Sequence, residues 1–179
     1  MKAVTVSILK NELRQYSRQE LVEVCLQLVK FKKENKELLS YVLFDSKDED
    51  EYIRAIKEEI DEEFSNFNYD RLYFVKKSTR KTLRIIKKYI RYSKKKETEA
   101  HVLLYFCAKM KELSSTYKRS LQMINIYERQ LAAVKKAVST LHEDLQYDFN
   151  IEIVDLFIKR HPQNSEKWNQ FKQHSLCIL

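Results

Sequence analysis

Glycine is absent from all 179 residues, and proline occurs once, at Pro162. The residues that normally supply left-handed turns and sharp chain stops are therefore missing over most of the chain. Tight β-hairpins and glycine-rich phosphate loops are hard to build this way, whereas helices joined by polar links need neither residue. Cysteine is scarce as well: Cys25, Cys107 and Cys177 are far apart, odd in number and without a CxxC pair. That usage points to a reducing compartment, the cytoplasm, and not to a disulfide framework. No stretch reaches the roughly 18 consecutive apolar residues of a membrane span, and the N-terminus lacks the apolar run of a signal peptide. The ending Leu176-Cys177-Ile178-Leu179 has its cysteine third from the terminus, which is not a prenylation box.

The most informative absence is local. Residues 71 to 96 hold twelve Lys and Arg and no Asp or Glu. The chain as a whole carries a formal charge of +8, unevenly spread: residues 1 to 70 have 11 Lys+Arg against 16 Asp+Glu, and residues 71 to 179 have 23 against 10. Such polarity steers an acidic partner, or it is satisfied inside the molecule by the acidic segment just upstream.

What is present reads as helix. With 44% hydrophobic residues, the length suits one domain with a sizeable core. A first helix is expected from Ser7 through Ile8, Leu9 and Leu13. Ser17 stands three residues before Glu20, the reciprocal capping arrangement, and Leu21, Val24, Cys25, Leu28 and Val29 follow at helical spacing. These two leucine-faced helices meet at Tyr16-Ser17 as a hairpin burying its own apolar stripes. They also resemble helix-extension-helix modules of some nucleic-acid-binding proteins. A third helix closes at Leu38 to Phe44. Ser46 with Glu49 repeats the capping pattern before a fourth, whose Tyr52, Ile53, Ile56, Ile60 and Phe64 share one face.

The basic helix is expected to run for about 25 residues, roughly 37 Å at 1.5 Å per residue. At about 100° per residue Leu72, Val75, Thr79, Leu83, Ile86 and Ile90 form an apolar arc. Lys76, Arg80, Arg84, Lys87, Arg91 and Lys94 form the adjacent ridge, flanked by Tyr73, Tyr89 and Tyr92. Two readings follow. The acidic fourth helix and the basic fifth pair along a seam and neutralise each other. Alternatively, the ridge binds an acidic protein, a membrane surface or nucleic acid, with the tyrosines contacting bases in the last case. Beyond it, a core helix opens at Glu97, a seventh runs from Tyr117 to Leu145 and an eighth from Ile151 to Lys159. Pro162 then ends the helical region, and Trp168 with Phe171 docks a last segment.

Metal chemistry fails on spacing. His142-Glu143-Asp144-Leu145-Gln146 has Gln where a zinc-protease helix needs its second histidine, and Glu97 with His101 does not complete a site. His161 and His174 sit among polar residues of the tail. Cys25 and Cys107 lie on apolar faces, where a thiol behaves as a small buried hydrophobe, and the abundant carboxylates single out no acid and base pair. No catalytic residue, metal ligand or cofactor is expected.

Leu9-Lys10 to Leu13, then Ser17-Arg18-Gln19-Glu20-Leu21, the helix from Lys30 to Leu39 and the acidic segment through Phe64 together resemble an uncharacterised family of small helical bacterial proteins, a domain of unknown function. The resemblance implies a helical, cytoplasmic bacterial protein and brings no catalytic residue with it.

The expected architecture is a single all-α domain, an irregular helical bundle or short solenoid of about seven to eight helices stacked as antiparallel hairpins. Its parts are N-terminal helices over 1–44, an acidic/basic hairpin over 45–96, core helices over 97–160 and a tail over 161–179. The expected function is a non-enzymatic macromolecular-interaction module working through the basic ridge. A protein partner comes first, with nucleic acid or a homo-oligomeric structural role as the alternatives.

Overall fold

Side-chain caps and one extended residue cut the N-terminal third into short helices. Ser17 Oγ accepts from the Glu20 amide at 3.3 Å while the Glu20 carboxylate accepts from the Ser17 amide at 2.7 Å, the expected capping box. Lys32 then takes an extended conformation (φ −143°, ψ 137°) that ends one helix and starts the next. The Asn35 side chain closes that corner by donating to the Leu28 carbonyl at 2.7 Å.

The computed structural model describes residues 2–113 and 120–158. Among them the protein is all-α, with eight helices and no strand. They are α1 (Val6–Leu13), α2 (Arg18–Phe31), α3 (Lys33–Leu43), α4 (Glu49–Ser65), α5 (Leu72–Ser93), α6 (Lys96–Glu112), α7 (Leu121–Val138) and α8 (Glu143–Ile158). Contacts gather into two compact units that divide between Asp48 and Glu49.

In the first unit α2 packs on α3, yet neither α1 nor α2 has a buried residue, and α3 buries only Tyr41. The expected hairpin burying its own stripes is not what forms, and Cys25, expected in a core, is exposed. Periodicity marks which face is apolar but not whether a second layer covers it. Ser46 also departs from expectation. It lies in a 3₁₀ turn, Asp45–Lys47, and donates back to the Val42 carbonyl at 2.9 Å, so it does not cap α4.

The second unit is built around α6, which packs against α4, α5, α7 and α8. Val102, Phe106 and Cys107 of α6 are fully buried, and helical faces on both sides point into it. The α4 stripe from Tyr52 to Phe64 is buried as its spacing predicts, with Phe64 edge-on to Phe106 at 5.8 Å and stacked on Phe67 at 4.6 Å. On α5 the buried line is Val75, Thr79, Thr82 and Ile86, while Leu72, Leu83 and Ile90 of the expected arc are only half-buried. Threonine is tolerated there because its hydroxyl bonds inside its own helix. Thr79 donates to Val75 O at 2.8 Å and Thr82 to Ser78 O at 3.1 Å.

Two further boundaries differ from expectation. The basic helix ends at Ser93, because Lys94 adopts the left-handed conformation (φ 59°) that glycine would normally supply. The helix expected from Tyr117 to Leu145 ends at Val138, and a separate α8 starts at Glu143. Ser139 and Thr140 hydroxyls donate to Lys136 O and Ala137 O at 2.9 and 2.7 Å, satisfying end carbonyls and turning the chain. Tyr117, Lys159, His161, Pro162, Trp168, Phe171, His174 and Cys177 lie outside the described residues.

Candidate functional site

The 22 residues of α5 span about 33 Å at 1.5 Å each. The line from Val75 to Ile86 turns one side inward, which fixes where the cations go. Arg80, Arg84, Lys87 and Arg91 are exposed on the helix, and Lys76 is half-buried. Lys94 is exposed too, but it is placed by the left-handed turn and not by the helical repeat. Arg80 donates to the Gln122 side chain of α7 at 3.3 Å. Lys76, Arg84, Lys87, Arg91 and Lys94 form no ion pair among the described residues, and neither does the adjacent Lys77.

The acids of α4 reach α5 at its edges. Lys81, beside the ridge, pairs with Glu63 at 2.8 Å. At the other end Glu49 accepts from Lys95 Nζ at 2.7 Å and from the Ser93 and Thr98 hydroxyls at 2.5 Å each. Glu49 therefore ties the start of α4 to the α5–α6 corner, which explains why it does not form the local cap its sequence position suggests. Glu58, Glu59, Glu62 and Glu63 line a shallow acidic groove of their own along α4.

The tyrosines separate into two kinds. Tyr73 is 67% exposed. Tyr92 is buried, and Tyr89 meets both Tyr92 (centroids 6.2 Å apart) and Tyr52 (6.3 Å) edge to face. Tyr52 also donates from its hydroxyl to the Tyr89 carbonyl at 3.2 Å. Tyr89 thus joins α4 to α5 through Tyr52, and Tyr92 packs on it from the same helix.

A second feature, not expected from sequence, is a cavity of about 820 Å³ between α6, α7 and α8. Its walls mix Met110, Met123 and Leu131 with His101, Lys111 and Glu152. His101 is half-buried and packs on the Phe149 ring at 4.5 Å. Burial first, and then the Lys57 charge, lower its pKa against the opposing pull of Glu152, Glu97 and Asp50. Tyr105 also lines the cavity, and its pKa is raised by burial and by donating to Asp61 at 2.7 Å. Asp61 feels burial pushing its pKa up, but hydrogen bonds from Lys109 (2.8 Å) and Tyr105 hold it net below the usual value. The phenol is therefore committed to a carboxylate. Cys107 is buried, and burial pushes its thiol up to about 12, so it carries no thiolate near neutrality. In the sequence His101 stands out only beside Glu97 and does not point to this cavity, whose lining comes from several helices.

No group of three or more His, Cys, Asp or Glu suited to a metal ion occurs among the described residues. His142 is exposed and sits 3.3 Å from Asp144, on the surface at the start of α8. Among the described residues no helix is long and apolar enough to cross a membrane. No protein-family model, no curated protein and no solved structure matches the chain.

Proposed function

We propose that this protein is a non-enzymatic interaction module, acting in a reducing cytoplasm, that docks an acidic surface of a protein partner onto the outward face of α5. One observation carries the reading: five cations of the ridge, Lys76, Arg84, Lys87, Arg91 and Lys94, have no carboxylate partner among the described residues. A rigid row of unpaired cations raises the association rate with acidic surfaces and selects them over basic ones. The tyrosines favour protein over single-stranded nucleic acid as the partner, because Tyr89 and Tyr92 are engaged within the fold and only Tyr73 is available for stacking. The resemblance to small helical bacterial proteins of unknown function adds no residue to this site.

The test is a binding panel in low salt with a polyglutamate peptide, a single-stranded RNA and a duplex DNA. Binding of the peptide in preference to both nucleic acids supports the proposal. Tighter binding of RNA or DNA than of the peptide transfers the ridge to nucleic-acid recognition, and no binding of any probe removes the role.

A further inference from the structure

We infer, given the role proposed for the ridge above, that its acidic partner is a second copy of this chain, with α4 of each copy laid on α5 of the other. The two helices carry complementary charge. α4 has eight acids and two bases, and α5 has eight bases and no acid. On α4, Glu51, Glu58 and Glu62 follow at intervals of seven and four residues, on the side away from the buried Ile53, Ile56 and Ile60. On α5, read backwards, Arg91, Arg84 and Arg80 follow at the same intervals, on the side away from the buried Val75, Thr79 and Ile86. All six are exposed. Glu58, Glu62, Arg84 and Arg91 form no ion pair among the described residues, while Glu51 pairs with Arg54 of its own helix and Arg80 bonds to the neutral Gln122.

The register of the hairpin matches these stripes. α4 and α5 run antiparallel, with Tyr52 against Tyr89, Glu63 against Lys81 and Glu49 bonded to Ser93. Each residue gained along α4 is therefore matched by one lost along α5, which sets Glu51 level with Arg91, Glu58 with Arg84 and Glu62 with Arg80. Two such hairpins stack face to face with twofold symmetry in two ways. A half turn about an axis across the helices lays α4 on α4, acid on acid. A half turn about an axis along the helices keeps every residue at its level and lays α4 on α5 in both halves, so the three pairings occur twice. That contact closes on itself and leaves neither stripe to recruit a third copy. Ala55 comes level with Lys87, and its small side chain leaves the shallow acidic groove of α4 open to that lysine. Exposed pairs are individually weak, so charge alone gives a dimer that salt dissolves.

Sedimentation equilibrium of the full chain at high micromolar concentration should give a two-chain mass in low salt and a one-chain mass in about 0.5 M salt. A charge swap tests the register. Glu58→Lys with Glu62→Lys makes that stretch of α4 basic, and Arg80→Glu with Arg84→Glu makes the facing stretch of α5 acidic. Each variant alone should associate at least ~10-fold more weakly than the intact chain, and an equimolar mixture should recover the two-chain mass. The salt series uses no variant, so it decides the matter even where a swapped chain fails to fold. Polyglutamate tells the choice of partner from the role of the ridge: it should still bind the Glu58→Lys, Glu62→Lys variant, whose ridge is intact. A one-chain mass in low salt, a larger assembly, a mass indifferent to salt or a mixture of helical variants that stays monomeric overturns the dimer, and the ridge keeps its role where the peptide binds. No peptide binding by either the intact chain or that variant removes both.

Discussion

The two units use the same helical building material for opposite ends. In α1 to α3 the apolar stripes are regular and well spaced, yet Tyr41 is the single buried residue among them. In α4 to α8 the stripes meet around α6, and Val75, Val102, Phe106 and Val134 are completely enclosed. The charges differ as sharply. The first unit is nearly balanced, while the second sets an acidic α4 beside a basic α5, with Glu63 paired to Lys81 and Glu49 to Lys95 just past the end of α5. Amphipathic pattern alone makes a helix; a covered core requires a central element with apolar residues around most of its girth, and only the second unit has one.

The comparison breaks most readily at α6. Replacing Phe106 by Ala should cost about 3–5 kcal/mol, whereas Leu43→Ala in α3, half-exposed, should change stability by no more than about 0.5 kcal/mol. Denaturant unfolding of the two variants checks this, and equal effects would mean that the first unit has a core of its own. Next in size is Glu49→Ala. It strips an acceptor from Ser93, Thr98 and Lys95 and should cost about 1–3 kcal/mol by leaving buried hydroxyls short of partners. Thermal melting measures it, and a smaller loss in the double variant with Thr98→Val would confirm the coupling.

These effects bear on what was legible beforehand. The Ser17 and Glu20 cap was readable because both partners lie within four residues. Ser46 and Glu49 have the same spacing and do something else, since Glu49 is claimed by groups 44 to 49 residues away. The α4 stripe was readable in full; on α5 the rotation from Leu83 to Thr82 was not, because hydrophobicity ranks leucine above a threonine whose hydroxyl is satisfied within its helix. The ridge residues were visible as a charge run, but the contact of Tyr89 with Tyr52 was not, because Tyr52 comes from another helix. The cavity beside His101 had almost no sequence signal, because it is defined by the spacing of three helices.

Smaller effects sharpen the account of the second unit. Lys94→Gly should stabilise by about 0.5–1 kcal/mol, since a residue with a β-carbon is held at φ 59°. Chemical denaturation reads the gain, and a loss would show that the lysine side chain does more than occupy the turn. The pH dependence should be gentler still. His101 has a folded pKa below its ordinary 6.5, so its contribution is present above that value and is lost as pH falls through the folded pKa. Melting temperatures of the protein and of His101→Asn should therefore differ in slope between pH 6.5 and the lower folded pKa, with the unsubstituted chain falling faster as pH drops.

The most direct measurement of the central claim is calorimetric titration of a polyglutamate peptide into the intact chain and into an Arg84→Glu, Arg91→Glu variant, each at two salt concentrations. Reversing two exposed cations on a solvent-facing helix leaves the fold intact. The account predicts affinity that drops with added salt for the intact chain and falls at least ~10-fold further in the variant. Equal affinities for the two proteins at both salt concentrations would contradict it.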